Sequence, residues 1–499
     1  MICKFNILAG TSVFSLNEIT NMWTTVLVLT ICLILHMSYG APPAEEIKYM
    51  PGLHKQPYWK QYSGYLNATG TKQLHYWFVQ SANKPSEDPL VLWMNGGPGC
   101  SSDLGLLSEH GPFRIGKDGA SVSYNPHAWN NVANMMYLEA PAGVGFSYSQ
   151  DKNYTTDDDQ VALDNHMALK NFFLKFPEYA KNDFYITGES YGGIYVPTLS
   201  ARVVDDTAIN FKGFVVGNGL SDDEMNSDSL VYFAYYHGLI GDSLWSGLSK
   251  YCCQGNMTRC AFSQSRGKEE CGKALSPVTE IVYGSGLNEY NLYGTCEGGN
   301  GIYFDEETNK VAFTHQKWQM KNNPYVSQKM KFIQDFTNVE DHLRLTPPCL
   351  NYSNVVKYLN TAEVRKQLHI PDMVQKWDIC SAVVGMGYKR LYSSMDKQYH
   401  KVLLAKKKVM VYNGDVDMAC NFLGDEWFVE SLNQKLVTER KAWHYTPEGT
   451  TSTQVAGFVK QFENLALVTV RGAGHMVPTD KPQPALIMIT NYLQDKPFQ

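Results

Sequence analysis

The chain lacks several features that mark common classes of protein. Basic residues are not in excess, because 43 Lys and Arg stand against 49 Asp and Glu and the formal net charge is −6. A nucleic-acid-binding face needs clustered positive charge, so we do not expect that function. The sequence also shows no internal repeat and no low-complexity tract. Its ordinary composition indicates a globular protein with a large core.

Long apolar runs are scarce. The run near the N-terminus, Trp23–Met37, covers about 15 residues. It is short for a membrane span and typical of a signal peptide core, so residues 1–40 are predicted to be a signal peptide. A signal anchor is the alternative, and Met22 is an alternative start because Lys4 is the only basic residue before it. No later segment reaches 18 apolar residues, so the mature chain is expected to lack a membrane span.

Cysteines remain in an odd number after the signal peptide. Eleven are present, and nine are left without Cys3 and Cys32. Secreted cysteines are oxidised, so we predict four disulfides and one free thiol. The cluster at 252–271 lacks a standard zinc-ligand spacing, which favours a disulfide-linked loop over a metal site. Four N-x-S/T sequons agree with the secretory route as predicted glycosylation sites: Asn67, Asn153, Asn256 and Asn351.

Short apolar runs that end in glycine-rich turns recur along the chain. They are PLVLWMNGGPGC, NMMYLEAPAGVG, FYITGES, FVVGNG, KVMVYNGD and LALVTVRGAGH. Continuous apolar strands indicate burial on both faces, which is typical of a parallel sheet covered by helices. A helical pattern also starts near Asp157 and stops before Pro177. We therefore predict an α/β fold with a mostly parallel central sheet flanked by helices.

Residues 221–345 have a different character from the rest. This stretch holds the cysteine cluster and then polar and glycine-rich segments without a clear period. We predict that 41–220 and 346–499 form the core, and that 221–345 form an inserted cap subdomain over the carboxyl edge of the sheet. An exposed loop is expected near 298–331, where proteolytic cleavage is favoured.

The pentapeptide GESYG at 188–192 follows one of the apolar strands. It fits the G-x-S-x-G pattern of the nucleophile elbow, in which a strained turn raises the serine above the sheet of an α/β-hydrolase. Small residues at the glycine positions let neighbouring backbone approach. The alternative is a tight turn that merely contains Ser190. Pro197 is expected to shorten or bend the helix that follows.

Candidates for an acid and a base follow later strands. In α/β-hydrolases the order is serine, acid, histidine, and the chain offers Asp415 or Asp417, and then His475. Asp415 lies in an Asn-Gly-Asp turn that such residues cap, so Asp417 is preferred. The two backbone donors for a tetrahedral intermediate are expected from Tyr191 and from the NGGPG loop at 95–99. We expect neither a metal nor a cofactor.

Five motifs resemble the serine carboxypeptidase family: LWMNGGPGCSS, APAGVGFSYS, GESYGGIYVP, YNGDVDMACN and GAGHMVPTDKP. The resemblance runs from about residue 50 to the C-terminus. It implies an α/β-hydrolase fold with an inserted cap. It also implies a serine-type carboxypeptidase that removes C-terminal residues from peptides through an acyl-enzyme, in the lysosome or outside the cell.

The resemblance also implies roles for individual residues. Ser190 matches the nucleophile, His475 the base and Asp417 the acid, while the amides of Gly97 and Tyr191 match the oxyanion hole. The residues that match the family's site for the substrate's terminal carboxylate are Asn95, Gly96, Glu109 and Glu189. The implied disulfides are Cys100–Cys380, Cys252–Cys271, Cys253–Cys260 and Cys296–Cys349, which leaves Cys420 free.

The two glutamates predict a pH dependence. Neighbouring carboxylates disfavour double ionisation, so one keeps a proton at acidic pH and can donate it to an incoming carboxylate. Near neutrality three negative charges would meet, so binding is expected to weaken as the pH rises. The alternative is that Glu109 is an ordinary helix-surface residue.

Three further properties follow from the resemblance alone. Excision of the loop near 298–331 would convert a zymogen into two disulfide-linked chains. A homodimer is implied, although the residues give no interface signal of their own. Stabilisation of lysosomal glycosidases is a second function of some relatives, so a binding scaffold is the second hypothesis. An acyltransferase is the third.

Overall fold

The computed structural model describes residues 40–296 and 349–499, together with the backbone of strands at 303–305, 310–314 and 343–346. The predicted signal peptide lies outside these residues except for Gly40. The predicted excised loop near 298–331 also lies outside them, apart from the first two of these strands. Both therefore stay predictions.

A mixed sheet of eleven strands forms the centre of the molecule. The strands of the described residues are, in chain order, β1 (Gln61–Asn67), β2 (Lys72–Val79), β3 (Leu90–Met94), β4 (Phe113–Ile115), β5 (Val122–Tyr124), β6 (Asn134–Leu138), β7 (Tyr148–Ser149), β8 (Thr156–Asp157), β9 (Phe184–Ser190), β10 (Phe211–Gly219), β11 (Tyr303–Asp305), β12 (Lys310–Thr314), β13 (Leu343–Thr346), β14 (Tyr388–Lys389), β15 (Lys408–Gly414), β16 (Leu436–Tyr445), β17 (Gln454–Phe462) and β18 (Leu465–Val470). The order in the large sheet is β1-β2-β6-β3-β9-β10-β15-β18-β17-β16, with β7 beside β2.

The middle of this sheet is parallel. Every neighbouring pair from β6 to β18 is parallel, and these six strands are the apolar runs predicted from the sequence. Antiparallel pairs complete both edges, β1 and β2 on one side and β17 and β16 on the other. The edge strands were not predicted. β16 is mostly exposed and lacks a continuous apolar run, and β1 and β2 are largely buried but contain polar residues that interrupt the apolar run.

Helices cover both faces of the sheet. The α-helices of the described residues are α1 (Asp158–Lys175), α2 (Gly192–Val203), α3 (Asp223–Tyr236), α4 (Asp242–Cys252), α5 (Phe262–Ser265), α6 (Glu269–Gly284), α7 (Ser353–Leu359), α8 (Ala362–Gln367), α9 (Ala382–Gly387), α10 (Asp396–Leu404), α11 (Phe422–Ser431), α12 (Val477–Asp480) and α13 (Pro482–Leu493). Short helical turns occur at Pro43–Glu45, Gly105–Glu109, Trp129–Asn131 and Pro177–Tyr179.

Two apolar clusters lie on opposite faces, because successive side chains of a strand alternate between faces. In β3, Val91 and Trp93 belong to one cluster, which includes residues of α7, α8 and α13. Leu90 and Leu92 belong to the other, which includes residues of α1, α2, α10 and α11. The predicted layered α/β architecture is confirmed.

Helices α1 and α2 frame strand β9. Asp157 caps α1 by accepting a hydrogen bond from the Gln160 amide at 2.9 Å, and α1 ends before Pro177 as predicted. Pro197 lies inside α2, but the helix continues to Val203. The expected shortening at the proline is therefore not observed, and bending of the helix stays a prediction.

The described part of the predicted cap, between β10 and residue 296, forms helices α3 to α6. These helices pack around a third apolar cluster. The cluster is crossed by the disulfides Cys252–Cys271 and Cys253–Cys260. The domain boundaries at 221 and 345 stay predictions.

The structure contains the four disulfides implied by the family resemblance. Besides the two in the cap, these are Cys100–Cys380 and Cys296–Cys349. Cys420 is free and buried. Among the described residues, none of the helices has the length and apolar character that a membrane crossing requires.

The four sequon asparagines are exposed at the surface. We expect a glycan on each, so replacing each in turn by glutamine should lower the apparent mass by one glycan step. The measurement is gel mobility of the protein expressed in a eukaryotic secretory host. Enzymatic deglycosylation should bring all variants to the same mobility. Asn131 is exposed but not in a sequon, so Asn131→Gln should leave the mobility unchanged. A variant that runs like the wild type would remove its site from the prediction.

Candidate active site

Ser190 ends strand β9 in a left-handed backbone conformation, with φ of 62°. This region is unfavourable for a residue with a Cβ, by about 1–2 kcal/mol. Ser190 is the only partly exposed residue of β9. Its carbonyl accepts a hydrogen bond from the Leu220 amide at 2.9 Å. A Cβ on Gly188 would lie 2.4 Å from the carbonyl oxygen of Met94, so the elbow requires glycine there.

Asp417 and His475 form a buried pair. His475 Nδ1 lies 2.7 Å from Asp417 Oδ2. Backbone amides also donate to the carboxylate, Ala419 to Oδ1 at 2.9 Å and Cys420 to Oδ2 at 3.2 Å. Because Nδ1 is occupied, Nε2 is the ring nitrogen that can exchange a proton with a substrate-side group. Asp415 instead accepts from the Gly472 amide at 2.6 Å, so it links its own turn to the turn after β18.

Asn95 connects two buried glutamates. Its Nδ2 donates to Glu109 Oε1 at 2.9 Å and to Glu189 Oε1 at 2.8 Å. Its Oδ1 accepts from Trp93 Nε1 at 2.8 Å and from the Gly105 amide at 3.1 Å. These two donors fix the orientation of the Asn95 amide, so that its NH₂ group faces the carboxyls.

The two carboxyls cannot both ionise easily. Burial raises the pKa of Glu189 well above its ordinary value, and the charge of Glu109 raises it further. Burial also raises the pKa of Glu109, against lowering hydrogen bonds from Asn95 and Glu189. Because both carboxyls are buried at the same Asn95 NH₂ group, one proton held by the pair relieves the repulsion between them. Glu109 is fully buried, and the alternative of a surface glutamate is therefore wrong.

The NGGPG loop packs directly against the elbow. A Cβ on Gly96 would lie 2.3 Å from the backbone nitrogen of Tyr191. Gly97 has a φ of 116°, which favours glycine. The loop is held from behind, because Cys100 is bonded to Cys380 and its amide donates to the Gly96 carbonyl at 3.0 Å. The two loops expected to supply oxyanion donors are therefore adjacent.

A buried group of His75, Asp103 and Glu139 has a spacing that could hold a cation. Both ring nitrogens of His75 are already in hydrogen-bonding contact, Nδ1 with Glu139 Oε2 at 2.9 Å and Nε2 with Ser63 Oγ at 2.8 Å. Glu139 also accepts from Trp377 Nε1 at 2.8 Å. We therefore interpret the group as a hydrogen-bonded network behind the NGGPG loop.

Comparison with known proteins decides the family. The family model of serine carboxypeptidases matches residues 51–495. The chain belongs to the serine carboxypeptidase family. It is 50% identical over 466 residues to the mouse lysosomal protective protein, covering 92% of this chain and 95% of the mouse protein. It is 41% identical over 488 residues to the Caenorhabditis elegans serine carboxypeptidase ctsa-4.1, covering 94% of this chain and 98% of that protein.

The fold of this carboxypeptidase matches a solved relative. The Saccharomyces cerevisiae prohormone-processing carboxypeptidase Kex1(delta)p superimposes with a TM-score of 0.69 at 22% identity. The match covers 91% of this chain and 96% of the yeast chain. It supports the fold alone, and it confirms the predicted α/β-hydrolase class.

Two residues of the carboxypeptidase site were missed by sequence analysis. Asn218 donates to Asp417 Oδ2 at 2.9 Å. The sequence feature that could have revealed it is a polar residue in Gly-Asn-Gly at the end of an apolar strand. The Tyr290 carbonyl accepts the His475 amide at 2.7 Å, and its ring centroid lies 4.8 Å from the imidazole. Tyr290 lies in the predicted cap, where the sequence has no period that could reveal it.

Gly96→Ala should abolish most of the activity of the carboxypeptidase. The new Cβ would meet the Tyr191 nitrogen at 2.3 Å, so backbone must move on one side of the expected oxyanion hole. Loss of one such donor costs roughly 100- to 1,000-fold in kcat. The measurement is kcat on an N-blocked dipeptide.

Gly387→Ala is the control, because the nearest atom to a Cβ there is 3.8 Å away. It should keep both kcat and thermal stability. A folded Gly96→Ala variant with unchanged kcat would refute the proposed contact between the two loops.

Proposed function

We propose that this chain is an acid-acting serine carboxypeptidase whose nucleophile is Ser190. Its hydroxyl attacks the carbonyl of the last peptide bond while His475 Nε2 takes the proton, with Asp417 stabilising the imidazolium. The amides of Gly97 and Tyr191 receive the oxyanion. The proton then passes to the leaving amine, and water hydrolyses the acyl-enzyme by the same route. The 2.7 Å contact of His475 Nδ1 with Asp417 supports these roles.

The observation that carries the exopeptidase assignment is the buried group of Asn95, Glu109 and Glu189. Glu189 precedes the nucleophile in the chain, so a carboxylate bound here would lie near the scissile bond. The Asn95 NH₂ group and a shared carboxyl proton are donors of the kind that a carboxylate accepts. We assign the substrate's terminal carboxylate to these three side chains and to the Gly96 amide.

The same group supports action at acidic pH. The donor proton is present at pH values below the raised pKa of the pair and is lost as the pH rises through it. Above that pKa the pocket would hold two negative charges before a third arrives with the substrate. Affinity for a free C-terminus should therefore be highest in acid and fall with increasing pH.

The cellular setting is proposed on other grounds. Four disulfides and four exposed sequons support the secretory route. A lysosomal destination is supported by the 50% identity to a mouse protein named lysosomal protective protein. Glycosidase stabilisation, a homodimer and acyltransferase activity stay predictions.

Hydrolysis of an N-blocked dipeptide with a free C-terminus is expected to depend strongly on pH. KM should rise by up to about tenfold for each pH unit above the pKa of the glutamate pair. For the same dipeptide with a C-terminal amide, KM should change much less with pH. Measuring both substrates from about pH 4 to about pH 8 separates the pH dependence of the carboxylate clamp from that of the catalytic step.

Two variants control this measurement. Ser190→Ala should abolish release from both substrates, and activity that survives it would refute the proposed nucleophile. Glu109→Gln should remove one ionisation and flatten the KM profile of the free acid. An unchanged profile in a folded Glu109→Gln variant would refute the clamp while leaving the nucleophile intact.

Cleavage in the predicted loop near 298–331 should raise the activity. Limited trypsin treatment should give two chains that separate on a gel only after reduction, because Cys296–Cys349 spans the loop. Activity is measured on the same samples before and after treatment. Equal rates would remove the zymogen hypothesis.

A further inference from the structure

Asn218 occupies a strained position beside the nucleophile elbow. It lies in β10 between Gly217, which pairs with Glu189, and Gly219, which pairs with Ser190, and the register shifts between them. Its φ is 39°, and it is fully buried. Asparagine tolerates this left-handed region better than most residues, and bulges of this kind re-aim a side chain.

The side chain of Asn218 is held so that its NH₂ group faces Asp417. Its Oδ1 accepts from the Gly414 amide at 2.9 Å. Its Nδ2 donates to Asp417 Oδ2 at 2.9 Å, the same oxygen that contacts His475 Nδ1. Since Oδ1 has a backbone donor, the amide cannot flip without losing both hydrogen bonds.

Asp417 lies among other buried acids, so hydrogen-bond donors to its carboxylate stabilise it. Among the described residues, the side chains that donate to its carboxylate are those of His475 and Asn218. The charge of Asp417 raises the pKa of several other groups, which lie in the elbow, the cap segment, the turn after β15, α11 and α12. They are Glu189, Glu289, Cys420, Asp425, Asp480, Tyr283 and Tyr290. None of these groups is a cation.

We propose that Asn218 is a positioning residue for the acid–base pair, which holds Asp417 Oδ2 aimed at His475 Nδ1. The imidazole is thereby kept in the tautomer that leaves Nε2 able to accept the proton of Ser190. The proposal rests on the function proposed above. It differs from a merely structural role, in which Asn218 only closes the turn at Gly414.

Asn413 offers a matched control. It is also a fully buried asparagine near the end of a central strand. Its Nδ2 also donates to an aspartate, Asp425 Oδ2, at 2.7 Å. In the part of the chain that the structure describes, His475 pairs with Asp417 and not with Asp425, so the same substitution at 413 removes an equivalent bond outside the acid–base pair.

The experiment uses an N-blocked amino acid ester, which keeps the carboxylate clamp out of the pH profile. Asn218→Gly suits the left-handed backbone but removes the donor. We expect kcat to fall roughly 10- to 100-fold at every pH, because a hydrogen bond to a charged group is worth about that factor. KM should stay within about twofold, since the loss affects chemistry rather than binding.

Asn218→Asp tests the donor itself. At about pH 5 the introduced carboxyl shares a proton with Asp417 and can still donate, so kcat should stay within several-fold of the wild type. Towards about pH 7 that proton is lost and kcat should fall to the level of Asn218→Gly. If Asn218→Gly does not fold, the pH dependence of kcat in Asn218→Asp still tests the positioning role of Asn218.

The outcomes distinguish a failure of the Asn218 proposal from a failure of the proposed function. Asn413→Gly should lower the melting temperature but keep kcat within about twofold. A folded Asn218→Gly variant with wild-type kcat, an equal kcat loss in Asn413→Gly, or an Asn218→Asp profile parallel to the wild type would each overturn the role of Asn218. Ser190→Ala is assayed alongside, because full activity in that variant would refute the proposed function and not the role of Asn218 alone.

Discussion

One amide group between two buried carboxyls is the constraint on which the rest of the site depends. Asn95 Nδ2 lies within hydrogen-bonding distance of both Glu109 and Glu189. A buried carboxylate is costly unless it is paired or protonated, and Glu109 and Glu189 meet at the same Asn95 amide. One proton stabilises the group, and in the proposed function that proton is also donated to the substrate's carboxylate. Folding and the proposed substrate binding therefore both require one proton on the glutamate pair.

The parallel sheet explains why these groups meet. Asn95 follows β3, Ser190 ends β9, Asn218 lies at the end of β10, and Asp417 and His475 follow β15 and β18. Neighbouring parallel strands present their carboxyl ends at one edge, so groups far apart in sequence converge there. The close approaches that remain depend on glycine, since a Cβ at Gly96 or Gly188 would overlap backbone of the facing segment.

Residues that follow continuous apolar strands could be found in the sequence. Such runs reveal buried parallel strands, and the polar residues just after them are candidates for the site, as Asp417 and His475 are. The edge strands could not be found this way. Exposure leaves β16 without an apolar pattern, and in the largely buried β1 and β2 polar residues interrupt the apolar run. Tyr290 could not be found either, because its contact with His475 is set by the path of the cap segment. Pro197 shows the limit of local propensity, since α2 continues past the proline to Val203 with most of its residues buried.

Several buried acids near the carboxyl ends of the parallel strands, and not the glutamate pair alone, favour protonation in the folded protein. Burial raises the pKa of Asp425 from 3.8 to about 7, and it raises the pKa of Glu289 well above the ordinary value of 4.5. A group whose pKa is higher in the folded than in the unfolded state contributes stability that is complete below the unfolded value. That stability is lost as the pH rises through the folded value. For Asp425 the window runs from about 4 to about 7. Glu189 has the same sign, so acid favours both the folded edge of the sheet and the protonated clamp within it.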